Sequence, residues 1–202
     1  MTTASIAQHV QDVQLALGSI DLQMVERVAD ALYDAFSRHR RVFLFGNGAS
    51  AALASHMAGD LGKNTAAGLG QGPAAPAGPR LRVISLSDNV AWMTALGNDL
   101  SYEDMFLEQL KNHLDPDDVV IAISGSGGST NVLRALQYAR THGATTVLMT
   151  SPQPQVELTR PFVTLLLQAP SSDIDTIEAV HVALHHALTR AVALRAAQAA
   201  HT

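Results

Sequence analysis

Two short segments rich in glycine and serine follow apolar runs and have the composition of an anion-binding turn. The first, Gly46-Asn47-Gly48-Ala49-Ser50, follows the run 42–45, and the second, residues 124–131, follows the run 119–123. Glycine permits the positive φ and close backbone approach that a phosphate cradle requires. Hydroxyls and the N–H groups at the start of a helix can hold a phosphate without lysine or arginine. The two segments therefore predict a phosphorylated small molecule at the carboxyl edge of a parallel sheet.

Serine and glycine also form ordinary turns and helix caps, and Ser129 or Thr130 could simply cap the next helix. Three serines within one turn favour the phosphate interpretation. Neither segment has the G-x-G-x-x-G pattern with a ribose-binding acid, and neither ends in the Gly-Lys-Ser/Thr of a P-loop. A nucleotide is therefore not the default ligand.

Histidines and carboxylates recur at helical spacing in two places. His56 and Asp60 are four residues apart and share one helix face, which is half of a divalent-metal site or, alternatively, a surface hydrogen bond. An apolar C-terminal segment carries the other group: Asp175, Glu178, His181, His185 and His186. Within it, His181 and His185 could bind a metal as a pair on spacing alone. Histidines that are merely packed in the core are an equally good interpretation.

Glu178 and His186 are eight residues apart, which corresponds to a rise of about 12 Å along one helix. That separation makes it difficult for both residues of one helix to bind a single metal ion. Either the helix begins after Glu178 or a second subunit completes the site.

Composition limits the class of protein. The 202 residues suit one domain, and 47% hydrophobic residues can form a substantial core. A net charge of −5 without a basic run disfavours nucleic-acid binding. The absence of cysteine excludes disulfides, thiolate metal ligands and thiol catalysis. No basic leader and no apolar run of membrane-spanning length are seen, so we expect a cytoplasmic protein without a membrane partner.

Helical and strand-like patterns alternate along the chain. Residues 5–39 predict two helices with a break at Gly18-Ser19. The remaining patterns predict strands at 42–45, 81–86, 119–123, 146–149 and 162–167, and helices at 50–61, 102–112, 130–142 and 175–199. Continuous apolar strands suit a parallel sheet that is buried on both faces. The patterns predict the α/β fold class, a three-layer αβα sandwich with a five-stranded parallel sheet. The Gly/Pro-rich segment 68–79 is a candidate lid.

In combination these segments resemble the sugar-isomerase (SIS) domain family, in its sedoheptulose 7-phosphate isomerase (phosphoheptose isomerase) group. The resemblance rests on both glycine-serine segments, the His56/Asp60 helix, Gly97-Asn98-Asp99 and the segment 177–186. It implies an N-terminal helical segment at 1–40 and a SIS domain at 41–202, in one structural unit. It also implies a homotetramer with its sites at subunit interfaces.

The resemblance further implies one zinc ion per subunit, held by His56, Asp60, Glu178 and His186, and so prefers His186 to His185. Asp60 and His186 would be the catalytic residues. The implied substrate contacts are Asn47, Gly48, Ala49, Ser50, Asp60, Asn98, Asp99, Ser124, Gly125, Ser126, Ser129, Asp175 and Glu178. This chain departs from the family pattern where Asp60 replaces a glutamate, Glu178 replaces a glutamine and Asn64 replaces an arginine.

The activity implied is aldose–ketose isomerisation through an enediol, with a divalent metal. The substrate would be sedoheptulose 7-phosphate, converted to D-glycero-D-manno-heptose 7-phosphate, or a closely related sugar phosphate. SIS proteins of another class are non-catalytic tetrameric scaffolds or sugar-phosphate sensors, including one group that binds the replication initiator. A scaffold has no reason to keep His56, His186 and two carboxylates together, so the metal site discriminates between the two.

Overall fold

The computed structural model describes residues 5–66 and 79–199. Its strands are β1 (Arg41–Gly46), β2 (Arg82–Ser85), β3 (Val119–Ile123), β4 (Thr145–Thr150) and β5 (Leu165–Gln168). Its α-helices are α1 (Ile6–Gly18), α2 (Leu22–Ser37), α3 (Ala49–Asn64), α4 (Val90–Asp99), α5 (Met105–His113), α6 (Thr130–Thr141), α7 (Val156–Thr159) and α8 (Ile174–Ala199). Short 3₁₀ turns precede α5 and follow α7. The predicted lid, 68–79, lies outside the described residues except for its last position.

The five strands form one parallel sheet in the order β2-β1-β3-β4-β5, which confirms the predicted α/β class. The chain leaves β1 for the edge strand β2 and then returns to the other side of β1 to form β3. The direction of winding therefore reverses between β1 and β3, and ligands of open α/β sheets bind in the crevice at such a reversal. Gly46 lies opposite Ile123 in the sheet, so both glycine-serine segments begin at this crevice.

Alternate strand residues point to opposite faces of the sheet, and helices cover both faces. Val42 and Leu44 contribute to a core shared with α1, α2, α3 and α8. Phe43 and Phe45 contribute to a second core shared with α5 and α6. The three predicted layers are therefore confirmed, because each face of the central strands is buried against helices.

The N-terminal helices begin and end close to the predicted break. Ser5 and Asp21 are the N-caps of α1 and α2, where their side-chain oxygens accept the N–H groups of Gln8 and Met24. Val28 of α2 is fully buried in the core that contains α8. The first two helices thus form part of the same core as the sheet.

Three local predictions differ from the structure. β2 is an edge strand, and Ile84 remains 38% exposed rather than buried on both faces. The predicted strand at 162–167 begins only at Leu165, because Arg160–Phe162 forms a 3₁₀ turn in which Pro161 occupies an early position. Helix α4 has no counterpart among the predicted helices; its N-cap Asn89 accepts the N–H of Trp92. No helix among residues 5–66 and 79–199 has both the length and the apolarity needed to span a membrane.

The absence of a side chain at Gly46 allows β1 and the start of α3 to approach closely, and a substitution at this position tests that requirement. A Cβ at this position would lie 2.6 Å from the carbonyl oxygen of Ile123 and 2.6 Å from the Cβ of Ser50. We expect Gly46→Ala to lower the free energy of unfolding by about 1–3 kcal/mol, because neither atom can move without shifting backbone. Gly59→Ala is the matched control, since nothing lies within 4 Å of its Cβ. Equal urea midpoints for the two variants would contradict the expectation.

Candidate active site

The first glycine-serine segment ends in the helix that carries His56 and Asp60. Gly48 is the N-cap of α3 with a φ of +56°, and no side chain of the described residues caps this helix end. A residue with a Cβ is strained at that φ. The N-terminal end of α3 therefore faces the crevice between β1 and β3 with its positive dipole end uncapped.

Two amide side chains join the glycine-serine segments. Asn47 donates to Asn131 Oδ1 at 3.0 Å, and Asn131 donates back to Asn47 Oδ1 at 2.8 Å. The Tyr102 hydroxyl donates to the same Asn47 oxygen at 2.9 Å. These bonds fix the separation between the segments. Asn131 and Tyr102 are not among the predicted site residues, and no motif in the sequence singles out Tyr102.

The serines of the second glycine-serine segment differ in their burial and hydrogen bonding. Ser124 is buried, and its hydroxyl oxygen accepts the N–H of Gly127 at 3.1 Å. Ser126 is exposed and accepts the N–H of Gly128 at 3.4 Å. Ser129 is the N-cap residue of α6, yet its side chain makes no capping bond. Ser124 therefore shapes the turn. The Ser129 hydroxyl makes no hydrogen bond within residues 5–66 and 79–199 and is available to a ligand at the start of α6.

A cavity of about 320 Å³ lies between the first turns of α3 and α8. Its lining residues are Ala49, Ser50, Leu53, Asp175, Glu178, Ala179, His181 and Val182. The cavity therefore brings together four residues implied by the resemblance: Ala49, Ser50, Asp175 and Glu178. Two others, Asn98 and Asp99, lie at the exposed end of α4, where Asn98 donates to Asp99 at 2.8 Å.

One helical turn beyond this cavity, three imidazoles and a carboxylate converge. Ring nitrogens of His56, His185 and His186 lie within 4.8 Å of one another. Asp60 Oδ2 is 3.1 Å from His185 Nε2, 3.4 Å from His56 Nε2 and 3.7 Å from His186 Nδ1. The structure thus places His56, Asp60 and His186 together, as the resemblance implies, and adds His185. We refer to these four side chains as the histidine cluster.

The members of the histidine cluster differ in exposure. The side chains of His56 and His186 are 51% and 54% exposed, whereas that of His185 is fully buried. Burial lowers the pKa of His185, the positive charges of His186 and His56 lower it further, and the hydrogen bond to Asp60 opposes the shift. Burial also raises the pKa of Asp60, but the hydrogen bond from His185, the charge of His56 and the hydrogen bond from Lys63 outweigh it, so the net pKa is lowered. Asp60 is therefore ionised at neutral pH beside a neutral His185.

The donor set of this cluster fits a divalent metal such as zinc. Zinc prefers imidazole and carboxylate ligands at about 2.0–2.2 Å, which places tetrahedral ligand atoms about 3.3 Å apart. The distances from Asp60 Oδ2 to the ring nitrogens of His185, His56 and His186 bracket that spacing. The three histidines and Asp60 are therefore residues that could hold the ion.

Glu178 does not lie in the histidine cluster of this chain. Helix α8 begins at Ile174, so Glu178 and His186 are both helical and about 12 Å apart along the axis. The interpretation in which the helix begins after Glu178 is therefore wrong. Within one chain Glu178 lines the cavity instead.

His181 also lies apart from the cluster. It is buried, and its Nε2 lies 3.0 Å from the carbonyl oxygen of Thr150 at the end of β4. That contact selects the tautomer in which Nε2 carries the proton. Among the described residues, His181 therefore attaches α8 to the sheet and does not form a metal pair with His185.

The buried histidines predict a loss of stability at mildly acidic pH. Burial lowers the pKa of His181, and the hydrogen bond to Thr150 only partly opposes this; the pKa of His185 is lowered as well. Unfolded histidine takes up a proton near pH 6.5 while the folded protein resists it. We therefore expect the free energy of unfolding to fall as pH drops from 7 towards 5, measured by urea denaturation in chelator.

A pair of variants tests the origin of that slope. His181→Gln keeps a donor for Thr150 but has no titrating group, so its pH slope should be shallower. His185→Gln removes the titrating group of the other buried histidine and should also give a shallower slope. A wild-type slope in His181→Gln would contradict the assignment.

The comparisons with known proteins agree with this architecture. Residues 7–151 match the SIS domain family model. The chain is 35% identical over 180 residues to the phosphoheptose isomerase of Burkholderia pseudomallei, covering 89% of this chain and 85% of that protein. It is 34% identical over 187 residues to the phosphoheptose isomerase of Aquifex aeolicus, covering 93% and 92%.

A solved structure shows the same fold. The phosphoheptose isomerase of Neisseria gonorrhoeae superposes with a TM-score of 0.78 at 23% identity, covering 92% of this chain and 93% of that one. The family model spans more than half of the chain, and the two relatives are matched over most of their length. The chain therefore belongs to the SIS domain family and, within it, to the phosphoheptose isomerase group of phosphosugar isomerases.

Proposed function

We propose that this sugar phosphate isomerase interconverts sedoheptulose 7-phosphate and D-glycero-D-manno-heptose 7-phosphate, or a closely related pair, through an enediol. One observation supports this most strongly: α3 begins at the first glycine-serine segment and carries His56 and Asp60 further along. Seven residues from Ala49 to His56 correspond to about 10 Å of helix. That length suits a ligand whose anionic end lies several bonds from its reacting carbons.

The serine segment is the proposed anchor for the phosphate. Ser124, Gly125, Ser126 and Ser129 lie at the carboxyl end of β3, next to the N-terminal end of α6. The helix dipole and the hydroxyls favour a dianion at this position. Binding energy at the phosphate then fixes the orientation of the distant carbonyl group.

Asp60 and His186 are the proposed acid/base pair. One group removes a proton from the carbon beside the carbonyl, and the proton returns to the neighbouring carbon after the oxygens have exchanged theirs. Asp60 Oδ2 lies 3.7 Å from His186 Nδ1, so His186 Nε2 is the ring nitrogen left for proton transfer. Asp60 Oδ1 has the exposed Lys63 ammonium beside it at 3.5 Å, and a substrate proton would have to reach this oxygen next to that cation. A divalent ion, when bound, supplies positive charge that stabilises the negative charge developing on the substrate oxygens.

The assembly and location also belong to this proposal. We propose a cytoplasmic homotetramer with one zinc ion per subunit and no nucleic-acid partner. Exposed apolar side chains on the outermost helices, which suit burial between subunits, support the tetramer. They are Ile6, Val10 and Leu15 of α1 and Val182 and Leu194 of α8.

The test is the conversion of sedoheptulose 7-phosphate to the aldose by the purified chain, after chelation and again after zinc is restored. Turnover that returns with zinc is the expected result, and unphosphorylated sedoheptulose should react far more slowly. A protein that binds zinc but leaves this substrate unchanged directs the search to other ketose phosphates. A protein with neither turnover nor bound metal would contradict the proposal and favour the non-catalytic scaffold.

A further inference from the structure

His185 is the member of the histidine cluster that the family resemblance leaves without a role. Its side chain has no exposed surface, and it lies closest to Asp60 of the three rings, at 3.1 Å. Its Nδ1 is also buried and has no hydrogen-bond partner among residues 5–66 and 79–199. A buried polar atom without a partner costs about 1–3 kcal/mol, so packing alone does not explain an imidazole here.

We propose that His185 is a metal ligand of this chain and takes the place in the coordination shell that the resemblance assigns to Glu178. The ion would be held by His56, Asp60, His185 and His186 from one subunit. The proposal deepens the function argued above and rests on its metal requirement. Three imidazoles and a carboxylate are a donor set that zinc accepts, and zinc can expand to five ligands when a substrate oxygen approaches.

The three imidazole rings differ in exposure, and this difference indicates which of them can contact a substrate. His56 and His186 are about half exposed and stand on the side that a substrate can approach. His185 lies behind them, out of contact with solvent, where it can hold an ion but cannot reach a substrate. His185 is therefore a ligand and not an acid/base group.

The position of Glu178 also supports the assignment of His185 as a metal ligand. Glu178 is two helical turns before His186 on α8 and lines the cavity with Ser50 and Asp175. It could meet the histidine cluster only from a second copy of the chain. His185 supplies the missing donor within the chain and without that requirement.

The experiment compares zinc affinity, by calorimetry with a competing chelator, in the wild-type chain, His185→Leu and Glu178→Ala. Loss of one ligand should weaken affinity by more than the roughly 10- to 100-fold typical of an outer-shell change. We expect that loss in His185→Leu and wild-type affinity in Glu178→Ala, which leaves no side-chain donor atom at position 178. Cobalt(II) bound to the wild type should show the absorption of a histidine-rich site that changes in His185→Leu.

A stability control separates ligand loss from misfolding. Leucine fills the site of His185 without an unpaired nitrogen but removes the hydrogen bond to Asp60, so the two effects oppose each other and His185→Leu should unfold close to the wild-type temperature in chelator. Zinc should raise the melting temperature of the wild type and of Glu178→Ala, but not of His185→Leu. Retained zinc affinity in His185→Leu, or lost affinity in Glu178→Ala, would overturn the proposal.

Failure of this inference is distinguishable from failure of the proposed function. Isomerase activity in a chain whose zinc binding ignores His185 would leave the function standing and remove the ligand assignment. If zinc binding depends on His185 but the chain isomerises no ketose phosphate, the ligand assignment stands and the proposed function is removed. A wild type that binds no zinc would overturn the ligand assignment whatever its activity.

Discussion

Replacing Asp60 by asparagine is expected to lower kcat by about 10²- to 10⁴-fold on the sugar phosphate that the chain isomerises. Asn keeps the shape of the side chain but cannot accept a proton, and it removes the negative charge that three histidines face. Asp60 has a lowered pKa, so in the wild type the carboxylate is ionised and ready to act at neutral pH. The measurement is steady-state turnover with zinc in excess.

Two further variants make that result interpretable. Lys63→Met removes the exposed cation 3.5 Å from Asp60 Oδ1 and should leave kcat within about tenfold of wild type, which corresponds to 1.4 kcal/mol. His186→Ala should approach the loss seen in Asp60→Asn. Turnover near wild type in either Asp60→Asn or His186→Ala, with an unchanged melting temperature, would exclude that residue from the acid/base pair.

Much of this fold could be predicted because its signals are local. Strands of the central sheet are continuous apolar runs, and the glycine-serine segments mark the ends of β1 and β3. The sequence patterns do not predict features that depend on how the elements pack together. The edge position of β2 leaves Ile84 exposed, and α4 depends on an Asn89 cap inside a segment without a clear apolar period.

In the candidate active site, too, contacts set by local spacing are predictable and contacts set by packing are not. The sequence predicts His56 and Asp60 as a pair because the spacing of four residues is a local property of a helix. The choice among His181, His185 and His186 was not local, because it depends on how α8 lies against α3 and β4. The structure turns His181 to the Thr150 carbonyl and His185 to Asp60, a difference that periodicity cannot resolve. Tyr102 reaches Asn47 across 55 positions of sequence, and no spacing rule predicts such a contact.

The second large effect is expected at the phosphate anchor, in Ser129→Ala. A hydrogen bond to a charged group contributes about 1.5–3 kcal/mol, so kcat/KM should fall by about 10- to 150-fold. The free energy of unfolding should not change, because the Ser129 side chain makes no capping bond to α6. The loss should appear in KM, and inhibition by inorganic phosphate should weaken by a similar factor.

Comparison with Ser124→Ala identifies a direct phosphate contact. Ser124 is buried and accepts the N–H of Gly127, so its removal should lower stability by about 1 kcal/mol and disturb the whole turn. Ser37→Ala, in an exposed hydroxyl at the end of α2, should alter neither phosphate inhibition nor KM. The Ser129 side chain makes no hydrogen bond in the part of the chain that the structure describes, so a weaker phosphate inhibition in Ser129→Ala alone assigns its hydroxyl to the anion. Unchanged phosphate inhibition in Ser129→Ala would move the anchor to the backbone N–H groups of the turn.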